Sequence, residues 1–173
     1  GNGPTQYASI AYFRILIELE MTGNLTTLEN RIGYYFKDRS ILEKAVTHSS
    51  SNRALNTYWE SNERMEFLGD RVLGLIIANL LFFHFENEEE GALSQRLTAL
   101  VRMESLTRVA RQINLGSFLI ISKGEEEIGG REKPGLLANA CEALIAALFL
   151  DGGLETACQF VENNWVEILT EDS

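Results

Sequence analysis

One stretch constrains this chain more than any other. Asn62-Glu63-Arg64-Met65-Glu66-Phe67-Leu68-Gly69-Asp70 runs into Val72–Phe85, which is almost wholly apolar. On an α-helix, residues three and four apart share a face. Glu63, Glu66 and Asp70 therefore stack on one side, and that side continues as Leu73 and Ile77. Like charges at this spacing cost a helix about a few tenths of a kcal/mol per pair in water. Partly buried carboxylates cost more unless they are protonated or meet a cation. A divalent metal answers the problem, since hard cations take carboxylate oxygens. The plainer reading, an acidic first turn favoured by the helix dipole, explains Glu63 well and Asp70, two turns in, poorly.

A second stretch poses the matching question. From Leu136 to Leu150 only Asn139 and Glu142 are polar, and they lie three apart on one face. Isolated polar groups in a buried helix need partners. The simplest fold brings them to the acids of the first helix around a cation.

The remaining pattern is helical. Thr26 or Thr27 is positioned to cap a short helix, Leu28 to Ile32, that Gly33 stops. Ser40 is read as the cap of the next, with Ile41, Leu42, Ala45 and Val46 as its apolar face, and Ser61 or Asn62 as the cap of the central helix. Thr47–Asn52 is a polar break in which His48 reads as a loop-holding residue before it reads as a ligand. Glu86–Gly91 is a solvated turn. Leu93 to Ile113 is a helix broken near Met103-Glu104-Ser105. Its Arg96, Arg102, Arg108 and Arg111 are the densest basic group, candidate phosphate contacts against the commoner reading of solvated charge. Ile128 to Gly135 reads as a flexible loop, and Leu154 to Leu169 as a last helix anchored by Phe160, Val161, Trp165 and Ile168. Strand-like alternation is scarce, so the fold class is all-α, in a single domain.

Composition narrows the function. Among 173 residues, 45% are apolar and 23% charged, a globular balance. The net charge of −10 argues against broad nonspecific nucleic-acid binding while allowing a local basic track. Cys141 and Cys158 sit in apolar helical pattern, as buried free thiols of a reducing compartment. Val72–Phe85 falls short of the ~20 residues that span a bilayer, so no membrane segment is expected and a cytoplasmic protein is. Residues 1–24 read as a tag remnant, Gly1-Asn2-Gly3-Pro4, plus an extra helix over Tyr7–Met21.

Several of these motifs resemble one family in order and spacing. The segment Asn62–Asp70 resembles the signature of the ribonuclease III family. Thr47-His48-Ser49-Ser50 precedes it. Glu90-Gly91-Ala92-Leu93-Ser94 and Leu100-Val101 follow, then Lys123-Gly124-Glu125-Glu126, Gly129-Gly130, Cys141-Glu142-Ala143-Leu144 and Leu150-Asp151-Gly152-Gly153. The resemblance, from about Leu28 to Trp165, implies the bacterial-type catalytic domain over residues 25–169. That is an all-helical, multi-helix bundle acting as a homodimer, a Mg²⁺-dependent endonuclease (Mn²⁺ substituting) for double-stranded RNA in rRNA and mRNA processing. It implies Asp70 and Glu142 as catalytic residues. It implies Glu66, Asn139 and Glu142 as the metal set, Glu63 and Glu90 as secondary acids, and Phe67 as a dimer contact. Without the resemblance, Phe67 reads as core.

Two departures matter. The family pattern has an acid where Asn139 stands, so the site loses a full charge and should hold Mg²⁺ less tightly. Asn139 fits a natural variant that keeps activity, a substitution made to trap a complex, or a catalytically silent dimer that holds RNA. The family's bacterial members also carry a double-stranded-RNA-binding domain. Here residues 170–173 read as the start of a linker, with that domain absent.

Overall fold

The computed structural model describes residues 24–51 and 62–171, together with Tyr12, Ile15 and Leu16. Residues 24–51 and 62–171 form seven helices: α1 over 24–32, α2 Arg39–Ala45, α3 Glu63–His84, α4 Glu90–Val101, α5 Met103–Gln112, α6 Lys123–Glu127 and α7 Pro134–Glu171. Short 3-10 turns at Leu115–Phe118 and Gly130–Glu132 join the later ones. The described residues contain no strand, only an isolated bridge between Thr47 and Ile120. The all-α expectation holds.

The core is the crossing of α3 and α7, with α5 laid on α7 and α4 on α3. From α3, Val72, Leu73, Ile76, Ile77 and Leu81 point inward at i, i+3 and i+4 spacing. They meet Leu137, Cys141, Leu144, Ile145 and Leu148 of α7, all buried. α7 is two helices across a kink at Gly153, where φ +80 and ψ −180 exclude an L side chain. The expected stop at Asp151-Gly152-Gly153 is therefore real, though the chain resumes helix at once. Its second half seats Trp165, whose indole N–H donates to the Leu100 carbonyl at 2.9 Å.

Several local expectations are corrected. Asp38, not Ser40, caps α2: its side chain accepts from the Ser40 N–H at 3.0 Å. Thr26 and Thr27 lie inside α1, which is already helical at residue 24, so neither is its cap. The break expected near Met103 is present, at the adjacent Arg102, whose ψ of 165 is extended. Residues 128–135 are not a loose loop. Arg131 there donates to the carbonyls of Gly116 and Leu119, and Lys133 bonds Glu125. Cys141 is buried, but Cys158 is only partly so. The Tyr7–Met21 helix falls outside the described residues apart from Tyr12, Ile15 and Leu16, which are helical and exposed. The alternative cap Ser61 and the linker positions 172–173 are also outside them.

By length and apolarity, α3 and α7 each reach what a bilayer span requires, longer than Val72–Phe85 alone suggested. Both are core helices of this bundle, and α3 opens with Glu63, Arg64, Glu66, Asp70 and Arg71.

Asp151, at the kink, ties residues 34–38 to α7. It accepts from the Tyr34 hydroxyl at 2.7 Å and from the N–H groups of Lys37 and Asp38 at 2.8 and 3.0 Å. Burial works to raise its pKa, but these bonds and the Lys37 charge outweigh it and lower it from 3.8. The same contact, after burial, pushes the Tyr34 phenol up to about 12. A carboxyl with a lowered folded pKa stabilises above its unfolded value and loses that contribution as pH falls through the folded one. Asp151→Ala should therefore cost about 1–3 kcal/mol at pH 7 in urea unfolding. The gap from the parent should narrow in acid, as pH falls below 3.8 and through the lowered folded pKa.

Candidate metal centre

Gly69 decides how the two central helices meet. A Cβ built there would lie 1.7 Å from the backbone oxygen of Glu142 and 2.5 Å from its carbonyl carbon. Any side chain at position 69 would force α3 off α7. With glycine, the helix carrying Glu66 and Asp70 lies directly against the turn carrying Glu142. The small residues Ala143 and Ala147, fully buried with Ala45, continue this close approach, and Met65 and Ile41 pack on them.

The contact brings carboxyls together. Glu142, partly buried, is raised from 4.5 to about 8, first by burial, then by a hydrogen bond to Asp70 and by the charges of Asp70 and Glu66. Glu66 is also raised, by burial and by Glu63. Asp70 stays half-exposed, with the Arg71 guanidinium 3.7 Å away. Elsewhere the acids with lowered pKa values, Glu88, Asp151 and Glu171, have donors to satisfy them. At this crossing, carboxyls face carboxyls.

The other candidate residues are placed differently. Asn139 is exposed, one turn before Glu142, so it is not the buried polar group its sequence context suggested. Glu63 is exposed but acts on Glu66 through its charge. Glu90 is the first residue of α4, and its carboxylate accepts from Ser94 Oγ at 2.8 Å. Phe67 is 67% exposed, so the core reading fails; the Arg71 guanidinium lies 5.5 Å from its ring centre.

The basic helix face is largely committed internally. Arg96 makes two bonds to Glu88 and lies 3.7 Å over the Phe85 ring. Arg108 makes two bonds to Glu171, and Arg102 lies 3.5 Å from Glu104. Arg111 is exposed. His48 holds its loop as expected: its Nδ1 accepts from the Ser50 N–H at 3.1 Å, and its backbone N–H donates to the Ile120 carbonyl.

Among the described residues, no three His, Cys, Asp or Glu side chains are already drawn together as a metal-ligating set. The donor chemistry nonetheless fits a hard divalent cation. Glu66, Asp70 and Glu142 offer carboxylate oxygens, and their mutual repulsion is what a cation relieves.

A family model described as Ribonuclease-III-like matches residues 38–169. The chain belongs to the ribonuclease-III-like family. It is 48% identical over 147 residues to the Ribonuclease 3 of Caldanaerobacter subterraneus subsp. tengcongensis, covering 85% of this chain and 64% of that protein. It is 45% identical to the Ribonuclease 3 of Helicobacter acinonychis, covering 79% of this chain and 56% of the relative. The chain thus spans between about half and two thirds of the length of these curated relatives. The solved nuclease domain of the Campylobacter jejuni ribonuclease III superposes with a TM-score of 0.74 at 40% identity, covering 81% of this chain and 97% of that one. The ribonuclease-III-like fold here is therefore a nuclease-domain fold, with the paired acids at its central crossing.

Position 69 stands out in the sequence only as one of two glycines in α3. A glycine inside a helical pattern costs about 1 kcal/mol against alanine. A Cβ at Gly74 would meet nothing within 4 Å, so the pattern alone does not tell the close approach at Gly69 from open space at Gly74. Nor does it mark Glu142 as the partner that Gly69 admits.

A carboxyl whose folded pKa is raised destabilises the fold as pH rises from its unfolded toward its folded value. Without divalent ions, Glu142→Gln should match the parent near pH 4.5 and then melt higher by a margin that grows up to about pH 8. Equal melting temperatures at pH 8 would contradict the crowding of these acids.

Proposed function

We propose that this chain is the catalytic domain of a Mg²⁺-dependent endoribonuclease that cuts double-stranded RNA, leaving 5′-phosphate and 3′-hydroxyl ends. The observation that carries this reading is Glu142 coupled to Asp70 and Glu66 across the Gly69 contact, in a chain of this family. Glu66, Asp70 and Glu142 would hold the cation. A divalent ion supplies Lewis acidity for the attack of water on the phosphodiester and offsets charge on the phosphoryl oxygens. The acids would orient that ion, and Glu142, whose pKa burial and the neighbouring acids raise to about 8, would give up its proton to bind it. Glu63 adds negative charge beside Glu66. Asn139 offers a neutral amide oxygen one turn from Glu142, so the ion would be held by fewer charges than four acids would supply. Duplex RNA would be read by shape and 2′-hydroxyls rather than base identity.

The exposed side of α3 supports a homodimer. Phe67, Leu75, Phe82 and Phe83 are each more than half exposed on this one helix. Apolar area of this kind marks an interface. The Campylobacter jejuni nuclease domain has a region involved in dimer formation, and that region is structurally flexible. Two copies would then present one acidic centre to each RNA strand, in a cytoplasmic protein of RNA processing. The second reading, a silent RNA-holding dimer, is favoured by Asn139 alone.

Incubation with long duplex RNA and Mg²⁺ tests both. The parent should cut, Glu142→Ala should lose about a hundredfold or more, and Asn139→Asp should need less Mg²⁺. Intact RNA with both the parent and Asn139→Asp, supplied with an RNA-binding module, overturns the enzyme reading. Cutting by Asn139→Asp alone establishes the silent form. In sedimentation, the parent should run as a dimer and Phe67→Glu should shift toward monomer.

A further inference from the structure

Asn62 occupies the N-cap position of α3, yet its side chain makes no capping bond. Asparagine there ordinarily turns its oxygen back to an amide of the first turn. Instead, Asn62 is 5% exposed and its Nδ2 donates across to the backbone carbonyl of Ala45, 3.3 Å away. Ala45 is the last residue of α2 and fully buried. Its carbonyl is one of those a helix end leaves without an internal partner. The Asn62 carbonyl, in turn, accepts from the Glu66 N–H at 2.8 Å. One residue thus bonds α2 through its side chain and the acid-bearing turn of α3 through its backbone. Both bonds converge where Ala45, Ala143 and Ala147 pack together under Met65, beside Glu66 on one helix and Glu142 on the other.

We infer that Asn62 is a positioning residue for the acidic centre: its amide locks the first turn of α3 to α2, and so fixes Glu66 against the Glu142 turn of α7. This rests on the metal-holding reading above. Asn62 is buried, its amide donor engaged by Ala45, and it is not among the carboxylates that would hold the cation. Its effect is on how well the carboxylates are arranged before an ion arrives. Loss of a group that orients metal ligands typically weakens metal binding about 10–100-fold.

The test separates positioning from plain stability. Ser105 makes the same kind of bond away from the centre: its hydroxyl donates to the Ala99 carbonyl at 2.8 Å, between α4 and α5. Asn62→Ala, Asn62→Ser and Ser105→Ala are prepared in the full chain. Melting temperature and Mg²⁺ affinity, by calorimetry without RNA, are measured for each well below the melting point. Asn62→Ala and Ser105→Ala should both melt lower. Only the Asn62 variants should bind Mg²⁺ more weakly, about tenfold for Asn62→Ala and less for Asn62→Ser, which keeps a short donor. If Asn62→Ala fails to fold, Asn62→Ser against Ser105→Ala decides. Unchanged Mg²⁺ affinity in the Asn62 variants, with the parent binding normally, overturns this inference alone. A parent that binds no divalent ion overturns the metal reading and this inference with it.

Discussion

The closeness of α3 and α7 at Gly69 is the constraint on which the rest depends. An ordinary helix pair keeps its axes about 8–10 Å apart because side chains fill the space between. Here the Glu142 carbonyl occupies the place a Cβ would take at position 69. Two acid-bearing turns are thereby placed side by side, although each belongs to a helix whose other faces are core. The apolar residues below, from Leu73 to Leu81 on α3 and from Leu144 to Leu148 on α7, supply the burial that holds the crossing together. Burial of the same helices strips water from Glu142 and Glu66. Packing and electrostatic conflict thus have one cause.

That conflict contrasts with charge elsewhere in the molecule. Glu29, 1% exposed, is matched by Arg39 at 2.5 Å and by the Phe36 N–H at 2.7 Å. Arg96, Arg108 and Arg131 each have a carboxylate partner. A fold that pairs these charges leaves Glu142 raised to about 8 among other acids. Strongly shifted pKa values with a specific charge partner mark functional sites more often than structural ones.

Much of this is legible in the sequence, for physical reasons that differ by residue. The i, i+3, i+4 spacing of Glu63, Glu66 and Asp70 above Leu73 and Ile77 shows both a helix and its buried side, because helical periodicity is local. The kink at Gly153 is visible in Asp151-Gly152-Gly153. Sequence alone places the cap of α2 two residues late, because Asp38 and Ser40 are both good caps and only the backbone chooses between them. The ordering of residues 128–135 is invisible in it, since that ordering depends on Arg131 reaching carbonyls at 116 and 119. Asn139 looks buried from its apolar neighbours, yet it falls on the exposed strip of α7. Asn62 is recognisable as a cap by position, while its actual bond, to a residue 17 positions earlier, is set by tertiary contact.

On the proposed function, the acids meeting at this crossing would hold one divalent ion between the helices. Crystals of the chain soaked in Mn²⁺ would test it through anomalous difference density. A peak should lie against Glu142 together with Asp70 or Glu66 and should be lost in Glu142→Gln. Manganese bound only at other acids, or none at saturating concentration with the crossing intact, would contradict it.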